Sequence, residues 1–183
     1  MSRVCKLVGD IMSTEHELAH VKGDITLGDS EENFYSVPFR INGTEIPMLV
    51  SEYKLHLLQV GHVAVTGALM SIYQKKQVPR FFFSVNNIEI EEPDVQPTNL
   101  VEFVGTITNV RPLTHDTAGR DVFTITLSDI SPLGETSVIY VAFRGPIARR
   151  YTDLRKGVKI CGEGYLKPYR STYEIYALSV NIL

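Results

Sequence analysis

Apolar and polar positions alternate with a period of two through much of the second half of the chain. Val122-Phe123-Thr124-Ile125-Thr126-Leu127-Ser128 puts Phe123, Ile125 and Leu127 on one face and Val122, Thr124, Thr126 and Ser128 on the other, as in a half-buried strand. Thr136 to Arg144 is a second β-rich run. Tyr173 to Ile182 is a third, rich in the aromatic and β-branched residues that suit a pleated surface. Between two of the strands the period lengthens. Pro146 to Arg155 reads as a helix, with Pro146 in its first turn and Ile147, Tyr151 and Leu154 at i, i+4 and i+7. Gly157 then stops it.

The first half repeats the layout. Strands are expected near Val4–Met12, Phe34–Ile41, Thr44–Val50, His62–Tyr73 and Arg80–Ile90, with a short helix at Glu52–Gln59 and a long loop from Met12 to Asn33. The polar segment Glu91-Glu92-Pro93-Asp94-Val95-Gln96-Pro97-Thr98 reads as a linker. Across it, Gly9 and Gly105, Gly61 and Gly157, and Tyr73 and Tyr169 recur at one offset of 96 residues. Such a spacing is the mark of a duplicated unit. The expected organisation is a domain over 1–92, a linker over 93–98 and a second domain over 99–183. Three strands, a helix and two strands is the order of the five-stranded oligonucleotide/oligosaccharide-binding (OB) barrel, whose helix lies between strands three and four. The expected fold class is therefore all-β, with two tandem OB barrels.

Composition adds a soluble, globular character: 44% of the 183 residues are hydrophobic and 21% charged. No apolar run approaches the ~20 residues that span a bilayer, and the first twelve residues lack a signal-peptide layout. Cys5 and Cys161 lie far apart in strand-like surroundings and read as two reduced thiols, which suits the cytoplasm. The net charge of −3 divides unevenly: residues 1–96 hold eight basic against thirteen acidic side chains, whereas residues 97–183 hold ten against eight. Screening confines each phosphate to charges within about 8–10 Å, so the second half can carry a cationic groove despite the overall sign.

The second half holds the apolar–Gly strand Val104-Gly105-Thr106-Ile107, the strand Ile139-Tyr140-Val141-Ala142-Phe143-Arg144 ending in an aromatic residue, the stop Leu154-Arg155-Lys156-Gly157, and the aromatic-basic hairpin Gly162-Glu163-Gly164-Tyr165-Leu166-Lys167-Pro168-Tyr169-Arg170. In this order they resemble bacterial single-stranded-DNA-binding proteins. The resemblance covers residues 99–183 and reaches the first copy through the repeat. It implies a non-enzymatic protein that binds single-stranded DNA, or RNA, in replication, recombination or a mobile element. Two barrels per chain imply a homodimer presenting four. The family's acidic tail has no counterpart before Leu183, which argues against a replication-hub role.

Binding single strands without sequence preference needs a cationic track for the backbone and flat rings for the bases, at roughly 1–3 kcal/mol per stacked base. The resemblance points to Phe143 as a stacking ring, with Arg144 beside it. Tyr165, Lys167, Tyr169, Arg170 and Tyr173 mark the last hairpin, where Tyr165, Lys167 and Tyr169 share a face by parity. Tyr73, Lys75, Lys76 and Arg80 make the matching hairpin of the first copy. Strand aromatics are more often core than platform, which sets a packing role beside the binding one for Phe143 and Tyr165. Arg149, Arg150, Arg155 and Lys156 read as a solvated helix face. Glu15, Glu17, Asp24, Asp29, Glu31 and Glu32 load the first long loop with charge that repels phosphate, making the first barrel the weaker binder. An alternative role for tandem barrels is an interaction scaffold in which nucleic-acid contact is incidental.

His16-Glu17-Leu18-Ala19-His20 matches the HExxH zinc motif, which works only on a helix. The extended form of the motif would place its third ligand at Thr26, which is no ligand, and the segment reads as a loop. No metal, cofactor, phosphate-binding glycine loop or catalytic constellation is expected.

Overall fold

A computed structural model describes residues 5–18, 33–72, 80–130, 136–169 and 172–183, the side chains at positions 17, 18, 72, 80 and 130 excepted. The first half contributes β1 (Cys5–Ile11), β2 (Glu17–Leu18), β3 (Phe34–Ile41), β4 (Thr44–Ser51), β5 (Gly61–Ile72) and β6 (Arg80–Ile90). The second contributes β7 (Leu100–Val110), β8 (Thr114–His115), β9 (Asp121–Ile130), β10 (Thr136–Arg144), helix α1 (Pro146–Arg150), β11 (Lys159–Tyr169) and β12 (Thr172–Ile182). The strand order of the first sheet is β1-β5-β6-β4-β3-β2, closed by β1 pairing with β3; that of the second is β10-β12-β11-β7-β9-β8, closed by β10 pairing with β9. In each barrel the third and fifth strands run parallel, Met48 beside Phe83 in the first and Val141 beside Ile175 in the second. These are two closed five-stranded barrels of the OB order, as the alternation predicts.

Period-two patterning explains the inside of each barrel. Phe39, Ile46, Met48 and Phe83 fill the first, and Phe103, Ile125, Val141 and Phe143 the second, all at most 2% exposed. Burying each such side chain contributes roughly 1.5–3 kcal/mol. The β3–β4 hairpin turns on Asn42-Gly43, both at positive φ (49° and 77°), the geometry that matches strand twist and that Asn-Gly adopts most readily. Gly9 allows the closing strands to meet: a Cβ there would lie 2.4 Å from the Arg40 carbonyl oxygen.

The helices are shorter than their periodicity suggests. Glu52–Leu57 is a 3-10 turn, and α1 ends at Arg150 instead of running to Arg155. Tyr151 breaks the helix because tertiary contacts claim it. Its ring packs on Phe143 and its hydroxyl donates to the Val180 carbonyl at 3.1 Å.

The two barrels share one continuous apolar core and a polar seam. The amide of Val8 donates to the Thr98 carbonyl at 3.1 Å, and the amide of Thr98 donates back to Val8 at 3.0 Å. Ser71, fully buried, receives the Val138 amide on its hydroxyl and donates that hydroxyl to the Val138 carbonyl, both at 2.6 Å, while its own amide donates to Ser137 Oγ. The segment between β6 and β7 is tied back to the first barrel by His62. Its Nδ1 lies 2.9 Å from Asp10 Oδ1 and its Nε2 lies 2.8 Å from the Val95 carbonyl.

Both partners of His62 are acceptors, so only the imidazolium can satisfy both. The bond to the Asp10 carboxylate, chiefly, holds the ring's pKa above its ordinary 6.5. With the folded value raised, the stabilisation is complete below pH 6.5 and is lost as pH climbs through the folded value. Chemical denaturation of the wild type and of His62→Gln should therefore show a stability gap that is widest below pH 6.5 and narrows at higher pH. A gap that stays constant with pH would remove the imidazolium from the account.

Candidate nucleic-acid interface

Closing the barrel assigns each position of β9 and β10 to the core or to the outer wall. Ile139, Val141 and Phe143 pair across from Leu127, Ile125 and Phe123 and point inward. Tyr140, Ala142 and Arg144, opposite Thr126, Thr124 and Val122, form the outer wall. Over that wall lies a groove of about 450 Å³. One side comes from the β7–β8 connection and the start of β8, with Arg111, Pro112 and Thr114. The other comes from the ends of β11 and β12, with Tyr169, Thr172 and Glu174, and Thr124, Tyr140 and Arg144 line the floor. Two tyrosines and an exposed arginine thus border one cleft, the combination that single-strand binding requires.

Charge in the groove is balanced more evenly than the sequence suggests. Arg144 donates through one terminal nitrogen to Asp116 at 3.3 Å and through the other to Glu174 at 3.2 Å, and its guanidinium stacks 4.2 Å from the centre of the Tyr176 ring. Asp116 heads the turn between β8 and β9. Its Oδ1 accepts the amides of Ala118 and Arg120 at 2.9 and 3.0 Å, and its Oδ2 receives the Arg120 guanidinium. The Arg120 amide, foremost, keeps the Asp116 carboxyl below its usual pKa. Burial pushes the Tyr176 phenol up. At the base of the same hairpin Asp121, largely buried, pairs with Arg149 and with His115. Arg149 is therefore an ion-pair partner as well as part of a solvated helix face.

The structure distributes the expected binding residues unevenly. Phe143 is not a stacking surface: it is fully buried between Phe123 and Tyr151, with ring centres 5.7 and 5.2 Å away, because its strand parity is that of Ile139 and Val141. Tyr173 lies at the barrel junction, where its hydroxyl donates to the Glu45 carbonyl and its ring meets Phe81 edge-on at 6.3 Å. Burial raises its phenol pKa as well. Tyr169 and Arg144 line the groove. Tyr165 and Lys167 are exposed on the outer face of β11, opposite Tyr176 and Glu174, but do not line it. Tyr73, Lys75, Lys76 and Arg170 lie outside the described residues, as does the side chain of Arg80, which opens β6. Arg111 and Tyr140 are the residues that sequence reasoning missed. The parity of β10 could have found Tyr140, since it alternates with the core positions.

The same face of the first barrel carries a cleft of different chemistry. Its described lining includes Glu15, His16, Glu45, Pro38 and Pro47, with two carboxylates and neither lysine nor arginine. Pro38 and Pro47 sit directly across from each other on β3 and β4. Glu17 and Leu18 of the HExxH match form β2 and pair with Ser36 and Tyr35, so this part of the motif is extended where zinc binding needs a helix; His20 lies outside the described residues.

The chain is similar in fold to the wild-type single-stranded DNA binding protein from Thermus aquaticus, with a TM-score of 0.72 at 18% identity over 100% of this chain and 93% of that one. A deletion variant of the Thermus protein gives 0.71 at 17% identity, over 100% and 94%. The likeness extends over both barrels. No protein-family model matches the chain. No curated protein matches it either.

Placing Phe143 in the core leads to a separation of stability from binding. Phe143→Ala should lower unfolding free energy by about 3–5 kcal/mol in a denaturant titration. A loss below ~1 kcal/mol would mean that the ring is not packed as described.

Proposed function

We propose that this protein binds single-stranded nucleic acid, DNA in the first place, by stacking bases on Tyr140 and Tyr169 while Arg111 and neighbouring cations meet the backbone, and that it catalyses no reaction. The observation that carries the reading is the groove itself. It lies on the outer wall of the second barrel's strands two and three, the face OB barrels use for oligonucleotides, and it holds two aromatic rings beside an exposed arginine. The Thermus aquaticus likeness supports it at the level of fold. Lys167 and Tyr165, exposed on the adjoining strand, extend the surface on which a longer strand can run.

In this reading the units 1–92 and 99–183, joined by 93–98, divide the labour. The second binds. The acidic lining of the first barrel's cleft favours a role in assembly. Two copies would then present four barrels as a homodimer. Cys5 and Cys161 are both buried and not joined in a disulfide, which suits a reducing interior such as the cytoplasm. Among the described residues no helix is long and apolar enough to cross a membrane.

A titration with oligo-dT, followed by quenching of tyrosine fluorescence, should show saturable binding that weakens steeply between low and moderate salt. Tyr140→Ala and Tyr169→Ala should each lose about 1–3 kcal/mol of binding, some five- to 150-fold in affinity, with the fold intact by circular dichroism. Full affinity in both variants would rule the groove out. Sedimentation equilibrium should give twice the chain mass of 20.5 kDa; a monomer at micromolar concentration would remove the four-barrel assembly.

A further inference from the structure

We propose that Asp116 occupies on Arg144 the place that a backbone phosphate takes when a strand binds, so that engagement of the second barrel exchanges one anion for another. This rests on the single-strand reading above. Arg144 stands at the end of β10 in the floor of the groove, and its two terminal nitrogens are committed to carboxylates. Its Nε–H is buried and has no hydrogen-bond partner among the described residues. The guanidinium is thus held in place but not saturated.

The two carboxylates differ in how firmly they belong there. Glu174 is 3% exposed and lies in the barrel wall on β12. Asp116 heads the turn of the β8–β9 hairpin, its side chain 13% exposed, and reaches Arg144 by a 3.3 Å contact. It has its own partners in the turn, namely the amides of Ala118 and Arg120 and the Arg120 guanidinium at 2.8 Å. When Asp116 leaves Arg144 its charge stays compensated, so the departure is cheap. A phosphate brings several oxygens to the guanidinium where Asp116 offers one. Glu174 and the Tyr176 ring keep Arg144 in the groove throughout. Until it is displaced, the Asp116 carboxylate repels the incoming backbone.

The test is oligo-dT affinity at low salt for wild type, Asp116→Asn, Asp153→Asn and the double variant Asp116→Asn with Arg144→Gln. Asparagine keeps the oxygen that the turn amides need and removes the charge, so Asp116→Asn should bind roughly three- to tenfold more tightly than wild type. Asp153, whose side chain is 98% exposed beyond α1, controls for net charge, and its variant should change affinity less than about twofold. The gain should vanish in the double variant, since it acts through Arg144. Asp116→Ser, which also leaves an oxygen for the turn, should reproduce the gain should the asparagine variant fold poorly. Equal or weaker binding by both Asp116 variants, an equal gain from Asp153→Asn, or a gain that survives without Arg144 each overturns the exchange while leaving the single-strand reading intact. If none of the proteins, wild type included, holds oligo-dT at low salt, the single-strand reading fails and the exchange fails with it.

Discussion

Barrel closure governs what every other part of this molecule can do. Each barrel closes through a short parallel pairing of its third and fifth strands and an antiparallel pairing of its first two or its second and third. Closure leaves the backbone groups paired around the ring and commits alternate side chains to a packed interior. Phe39 and Phe83 fill the interior of one barrel and Phe103 and Phe143 that of the other, which leaves the alternate positions to form the outer walls. The register Ala142 beside Tyr176 then sets the chemistry, because it brings Arg144 over the Tyr176 ring and within reach of Glu174.

The same scaffold, used twice, yields two different outer walls. In the second barrel the wall holds Tyr140 and Arg144 under a hairpin headed by Asp116; in the first it holds Pro38 and Pro47 flanked by Glu15 and Glu45. The inner faces of the two copies answer to the same packing demand, while their outer faces are free to diverge. The seam joins them without a flexible hinge in the described residues: Ser71 meets Val138, Val8 meets Thr98, and Tyr173 reaches Glu45. A residue that reads as part of a binding hairpin, Tyr173, is thereby spent on holding the barrels together.

How much of the site was legible follows from these constraints. Tyr169 in the last hairpin and Arg144 at the end of β10 could be found from residue type and position. Phe143 could not be placed correctly by resemblance alone, although the alternation that puts Phe123, Ile125 and Leu127 inside also puts Phe143 inside through cross-strand pairing. Arg111 carries no local signal, since only the fold brings the end of β7 over the wall of β9 and β10. The pairing of Arg144 with Asp116 and Glu174 spans 28 and 30 residues, and no spacing rule anticipates it.

Period-two alternation, turn residues and the 96-residue repeat were sufficient to determine an all-β chain with two five-stranded units in the OB order, because those features act locally or through simple periodicity. The tertiary structure alone decided which aromatic rings face solvent, where α1 stops, and which arginine in the groove is already matched by carboxylates. Those outcomes depend on register between strands distant in sequence, where shifting a side chain by one position moves it from core to surface.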